Sequence, residues 1–92
     1  MDKLTIFYLE GCPYCRNAMR AVSELLKEFP DFGEDRIEWI EERRHADEAD
    51  RYDYYRVPSV FYRGKKLYEC SPAHDYAAIK QHLRSAMEAA QN

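Results

Sequence analysis

The spacing of apolar residues changes period along the chain, and each change marks an element. Residues 3–9, KLTIFYL, are β-branched and aromatic without a breaker, which predicts a strand covered on both faces. From Pro13 to Phe29 the apolar residues Ala18, Val22, Leu25, Leu26 and Phe29 recur at helical spacing, until Pro30 and Gly33 of FPDFG stop the pattern. RIEWIEE, residues 36–42, alternates Ile37, Trp39 and Glu41 against Glu38, Ile40 and Glu42, a second strand that completes a βαβ unit. Residues 44–56 predict a helix with Ala49, Tyr52 and Tyr55 on one side and Tyr52 and Tyr55 packed into the sheet. VPSVFYRGKKLYEC then holds two short apolar runs around Arg63 to Lys66, a hairpin with Gly64 in its turn. An alanine-rich helix closes the chain from SPAHDY onward, with Tyr76, Ile79, Leu83 and Met87 along a stripe, Ser71 as its cap and Pro72 at its first position. The resulting order is βαβαββα, an α/β fold.

Size changes this picture little. The 92 residues suit one domain, taken as 1–92, because a second would leave too little core for either. A net charge of −3 with both signs interspersed offers no basic footprint for nucleic acid. No stretch approaches the ~20 apolar residues of a membrane span, and the start resembles no secretory leader, so no membrane association and a cytoplasmic location are expected. Three cysteines, an odd number, fit a reducing compartment better than a disulfide framework.

Two of those cysteines carry the chemistry. In LEGCPYC, a helix beginning at Pro13 makes Cys12 its N-cap and Cys15 its third residue. Residues three apart on a turn lie about 5–6 Å from each other, within reach of a disulfide that closes without moving the backbone. Exchange needs a thiolate: an ordinary thiol near pKa 8.5 is only about 3% ionised at pH 7, whereas one near 6 is about 90% ionised. That difference is worth about 3.4 kcal/mol, more than the roughly 0.3–2 kcal/mol of a helix dipole. Backbone amides of Tyr14 or Cys15 donating to the Cys12 sulfur are therefore expected, with Arg16 as the nearest stabilising cation. Cys15, deeper in the turn, is the natural resolving thiol. As half of a zinc site, the pair would draw its other ligands from Cys70, His45, His74 and His82, which show no ligand spacing. A pair of inert core cysteines would not need to sit where a strand turns into a helix.

Pro58 in RVPSVFY is the second marker. A proline at a strand entrance lacks the ladder donor, and Val57 before it is pushed towards an extended conformation. Pattern alone leaves the isomer of the Val57-Pro58 bond open.

With GCPYC after the first strand, VPSVF before the hairpin and this order of elements, nearly the whole chain resembles a glutaredoxin of the thioredoxin-fold superfamily. The resemblance implies a four-stranded mixed sheet flanked by three helices and a cis Val57-Pro58 bond. It implies that Cys12 attacks a disulfide and Cys15 resolves the mixed disulfide, while Tyr14, Val57 and Pro58 line the substrate groove. Glutathione is the implied co-substrate, with no bound cofactor and no metal, in a monomer. The chain departs from the family at two places. Leu9 stands where many glutaredoxins have a basic residue, and LYECSPAHDY replaces a Gly-Gly turn with its Ser/Thr-Asp pair. Protein or peptide disulfides are thus expected beside glutathione mixed disulfides as substrates, with a thioredoxin-like reductase that does not use glutathione as the alternative. An iron-sulfur or metal carrier is the rival from another class, and a partner-binding module without turnover a third. Cys70 is expected to be a buried strand-end residue, and the three histidines to serve as surface or capping residues.

Overall fold

The computed structural model describes residues 2–91. Four strands, β1 (Leu4–Tyr8), β2 (Ile37–Glu41), β3 (Ser59–Tyr62) and β4 (Lys65–Glu69), lie in the order β2-β1-β3-β4. β1 runs parallel to β2 and antiparallel to β3, and β3 pairs antiparallel with β4, so the sheet is mixed. Among the described residues three α-helices flank it: α1 (Pro13–Glu28), the single turn α2 (Ala46–Ala49) and α3 (Tyr76–Gln91). The order βαβαββα and the thioredoxin-like layout are those the sequence predicts. No helix among the described residues is long and apolar enough to cross a membrane.

The continuous apolar run of β1 follows from its interior position, with strands on both sides and cover on both faces. Leu4 and Ile6 join Ala18, Val22 and Leu25 of α1 and Ile79, Leu83 and Met87 of α3 in the larger core. Phe7 points the other way, to Ile40, Ala49 and Phe61. Burying each large aliphatic side chain contributes about 1.5–3 kcal/mol, so the stripes on α1 and α3 suffice to hold both helices on one face. The hairpin turn has Arg63 at φ 54° and Gly64 at φ 79°, the paired left-handed conformation whose twist matches two-residue hairpins.

Two expectations are corrected. The helix predicted over 44–56 shrinks to Ala46–Ala49, and Tyr55 is 90% exposed instead of packing into the sheet. Beyond Tyr52 the chain is no longer helical, so alternate residues share a side and Tyr54 takes the place expected of Tyr55. Its ring stacks on Phe7 at 5.0 Å, beside Tyr52 at 4.7 Å, and its hydroxyl donates to Glu42 at 2.7 Å. The Glu69 carboxylate accepts the amides of Tyr55 (3.0 Å) and Arg56 (2.9 Å), a long-range satisfaction that local periodicity does not reveal. The last helix likewise starts later than predicted, at Tyr76. Asp75 caps it by accepting the Ala78 amide at 2.9 Å, while Ser71 accepts from Ala73 at 3.2 Å in a separate turn closed by His74 N–H to the Ser71 carbonyl. A carboxylate three residues before a free amide outcompetes the serine-proline start.

Candidate active site

The chain must turn sharply between β1 and α1, and Gly11 does so at φ 88°. Nothing lies within 4 Å of where its Cβ would stand, so conformation, and not space, calls for glycine. Cys12 follows as the extended N-cap residue (φ −79°, ψ 124°) and Pro13 as the first helical one, as predicted. The Cys12 carbonyl accepts the first helical bond, from Arg16 N–H at 3.0 Å.

The two sulfurs share the first turn but not the same surroundings. Cys12 is half-buried, whereas Cys15 is 1% exposed. Burial pushes the Cys15 thiol up to about 12; the Leu9 amide, donating to its sulfur at 3.4 Å, works against this, and the hydrogen bond and charge of Cys12 add to the rise. The expected donation to Cys12 is not found: its side chain receives no capping hydrogen bond. The amide donor ordered on this loop, Leu9 N–H, is aimed at the Cys15 sulfur instead.

The Val57-Pro58 bond is cis, and Pro58 is fully buried at the entrance of β3. The Pro58 carbonyl accepts the amide of Cys70 at 3.0 Å, which continues the β3–β4 ladder past its last strand residues. Cys70 is buried, as expected, and its thiol is raised above the usual range, chiefly by burial.

The chain is 30% identical over 83 residues to the thioredoxin of Methanocaldococcus jannaschii, spanning 88% of this chain and 95% of that protein. It belongs to the thioredoxin family. No family model matches the chain. Among solved structures, thioredoxin 1 of Thermosipho africanus superposes with a TM-score of 0.61 at 15% identity, covering 98% of this chain and 99% of that one. The zinc-bound form of human ERp44 superposes with a TM-score of 0.59 at 21% identity, covering 92% of this chain and 27% of that one. Both likenesses concern the fold. The relationship found is to thioredoxins, and the glutaredoxin-specific part of the resemblance rests on the CPYC motif.

In this thioredoxin-family chain the other predicted residues fall as follows. Tyr14 packs on the larger core and donates its hydroxyl to the Pro72 carbonyl at 3.1 Å, tying the cysteine turn to the segment after β4. Val57 packs on the Phe7 cluster. Arg16 is exposed and donates to the Gly11 carbonyl at 3.2 Å. His74 meets the Tyr68 hydroxyl at 2.8 Å, and its ring stacks with those of Tyr68 and His82. Among the described residues no three His, Cys, Asp or Glu side chains form a group that could hold a metal.

Sequence reasoning missed Glu41. It is 4% exposed, at the end of β2, with its carboxylate accepting the Glu10 amide at 2.9 Å. Its register was the available signal, since Glu41 shares a strand face with Ile37 and Trp39.

Proposed function

We propose that the protein reduces protein or peptide disulfides by dithiol exchange through Cys12 and Cys15. The observation that carries this reading is the asymmetry of the pair, a half-buried cysteine at the helix cap beside a buried one on the same turn. The Cys12 thiolate attacks one sulfur of the substrate disulfide, and the other substrate sulfur leaves as a thiolate that takes up a proton. The result is a Cys12–substrate mixed disulfide. Cys15 then gives up its proton and attacks the Cys12 sulfur, releasing the second substrate thiol and leaving a Cys12–Cys15 disulfide. An external thiol pair restores the dithiol by the same exchange in reverse.

In this reading the backbone of Val57, just before the buried Pro58, pairs with an extended substrate segment in a short form of strand addition, and Tyr14 lines the same groove. Glutathione mixed disulfides are the second reading, which CPYC favours. Against it stand Leu9 and the segment after Cys70, where Asp75 already accepts the Ala78 amide at the start of α3. Turnover of a protein disulfide and of a glutathione mixed disulfide, compared on one preparation, tests the choice. Preference for the protein disulfide is expected, and a marked preference for the glutathione adduct restores the glutaredoxin reading. A Cys12→Ser variant with parental turnover on both would remove the mechanism altogether.

A further inference from the structure

The loop that carries the dithiol is held by two consecutive peptide groups, each bonded to a cysteine on one side and to the end of β2 on the other. In the Tyr8–Leu9 peptide, the N–H of Leu9 donates to Cys15 Sγ at 3.4 Å and the Tyr8 carbonyl accepts the Glu42 amide at 2.9 Å. In the Leu9–Glu10 peptide, the Leu9 carbonyl accepts the Cys12 amide at 3.2 Å and the N–H of Glu10 donates to Glu41 Oε2 at 2.9 Å. A peptide group is planar, so fixing its N–H also aims its carbonyl.

Glu41 is built for that task. Oε1 accepts the amides of Arg43 (2.7 Å) and Arg44 (3.2 Å), which leaves Oε2 for Glu10. Arg43 lies 3.5 Å from the same carboxylate and also donates to the Glu10 carbonyl at 3.3 Å. Three amide donors and one guanidinium keep a buried carboxylate ionised, and an ionised acceptor makes the stronger hydrogen bond.

We infer that Glu41 is a positioning residue for the dithiol, acting through the Leu9–Glu10 peptide on the backbone of Cys12 and through Leu9 on the sulfur of Cys15. This rests on the exchange reading above. Glutamine at position 41 discriminates well, because it keeps one acceptor oxygen and replaces the other by a donor. With the oxygen retained on the Arg43 and Arg44 amides, an NH2 group faces the Glu10 N–H and the link to the cysteine loop is lost.

The test uses stopped-flow reaction of the fully reduced protein with an aromatic disulfide whose thiolate absorbs visibly. The parent should release two equivalents in sequence, the first on attack by Cys12 and the second as Cys15 resolves the mixed disulfide. In Glu41→Gln the second step is expected to slow about tenfold, and the dithiol–disulfide equilibrium to move towards the disulfide by about tenfold, or about 30 mV, as the released Leu9–Glu10 peptide lets the Leu9 N–H swing off the Cys15 sulfur. A remote core variant of equal thermal stability, Phe32→Leu, should change neither. A folded Glu41→Gln protein with parental resolution rate and equilibrium overturns the inference. A parent that releases no second equivalent overturns the exchange reading instead. If Glu41→Gln does not fold, amide hydrogen exchange on the reduced parent decides: protection of Leu9, Glu10 and Cys12 comparable to β1 is expected, and free exchange of the Glu10 amide overturns the positioning role.

Discussion

The amide of Leu9 donates to the sulfur of Cys15 across 3.4 Å, from the loop between β1 and α1. One contact therefore joins the strand end to the buried half of the dithiol, and the two cysteines differ in burial, Cys12 half-buried and Cys15 buried.

Brief alkylation of the reduced native protein at pH 7 is expected to modify one thiol, that of Cys12. Cys15 and Cys70 are both buried and both raised above the ordinary thiol range, so they should react only after unfolding. Peptide mass mapping checks this, and equal labelling at Cys15 would contradict the burial asymmetry.

The Cys15 thiol also gives stability a direction with pH. Its folded value lies near 12 against an ordinary 9.0, so the folded state holds its proton more tightly than the unfolded chain does. That part of the stability is complete below about 9 and is lost as pH rises through about 12. The melting temperature of the reduced protein should fall over this window, and Cys15→Ala should flatten the fall.

Glu41 works in the opposite sense. Its carboxyl is held down to about 2 from an ordinary 4.5, first by the Glu10 amide, so its contribution is present above about 4.5 and lost as pH falls through about 2. Acid titration of stability should be shallower in Glu41→Gln than in the parent across that range.

The tyrosine cluster separates residues that look alike in sequence. Tyr54→Ala removes a half-buried ring stacked on Phe7 and should cost about 1.5–3 kcal/mol, whereas Tyr55→Ala, on an exposed ring, should stay within about 0.5 kcal/mol. Urea unfolding of the two variants reads the difference, and similar losses would restore the helical register predicted for 44–56.

The start of α3 is tested in the same way. Asp75→Ala removes the acceptor for the Ala78 amide and should cost about 1 kcal/mol, while Ser71→Ala, outside the helix, should cost less. The reverse order would place the cap where sequence alone put it.

Much of this architecture was legible because it is local. The strand-then-helix change around Cys12, with Pro13 at the first helical position, needs only period and one special residue, and so does the hairpin at Gly64. The stripe of Ile79, Leu83 and Met87 marks its face by spacing alone. Where the prediction failed, a competing acceptor decided, distant in one case and local in the other. Glu69 took the amides of Tyr55 and Arg56 and ended any helix there, and Asp75 displaced Ser71 because the chain had first turned at Pro72.

The sequence by itself determined the order of elements, the position of Cys12 and Cys15 on one helical turn, and the buried faces of α1 and α3, because each depends on spacing within a single segment. Only the tertiary structure decided which sulfur receives the Leu9 amide, which tyrosine enters the sheet face and what Glu41 holds. Those outcomes are hydrogen bonds and packing contacts that reach as far along the chain as Phe7 to Tyr54, whose partners compete for the same donors and the same space until the sheet brings them together.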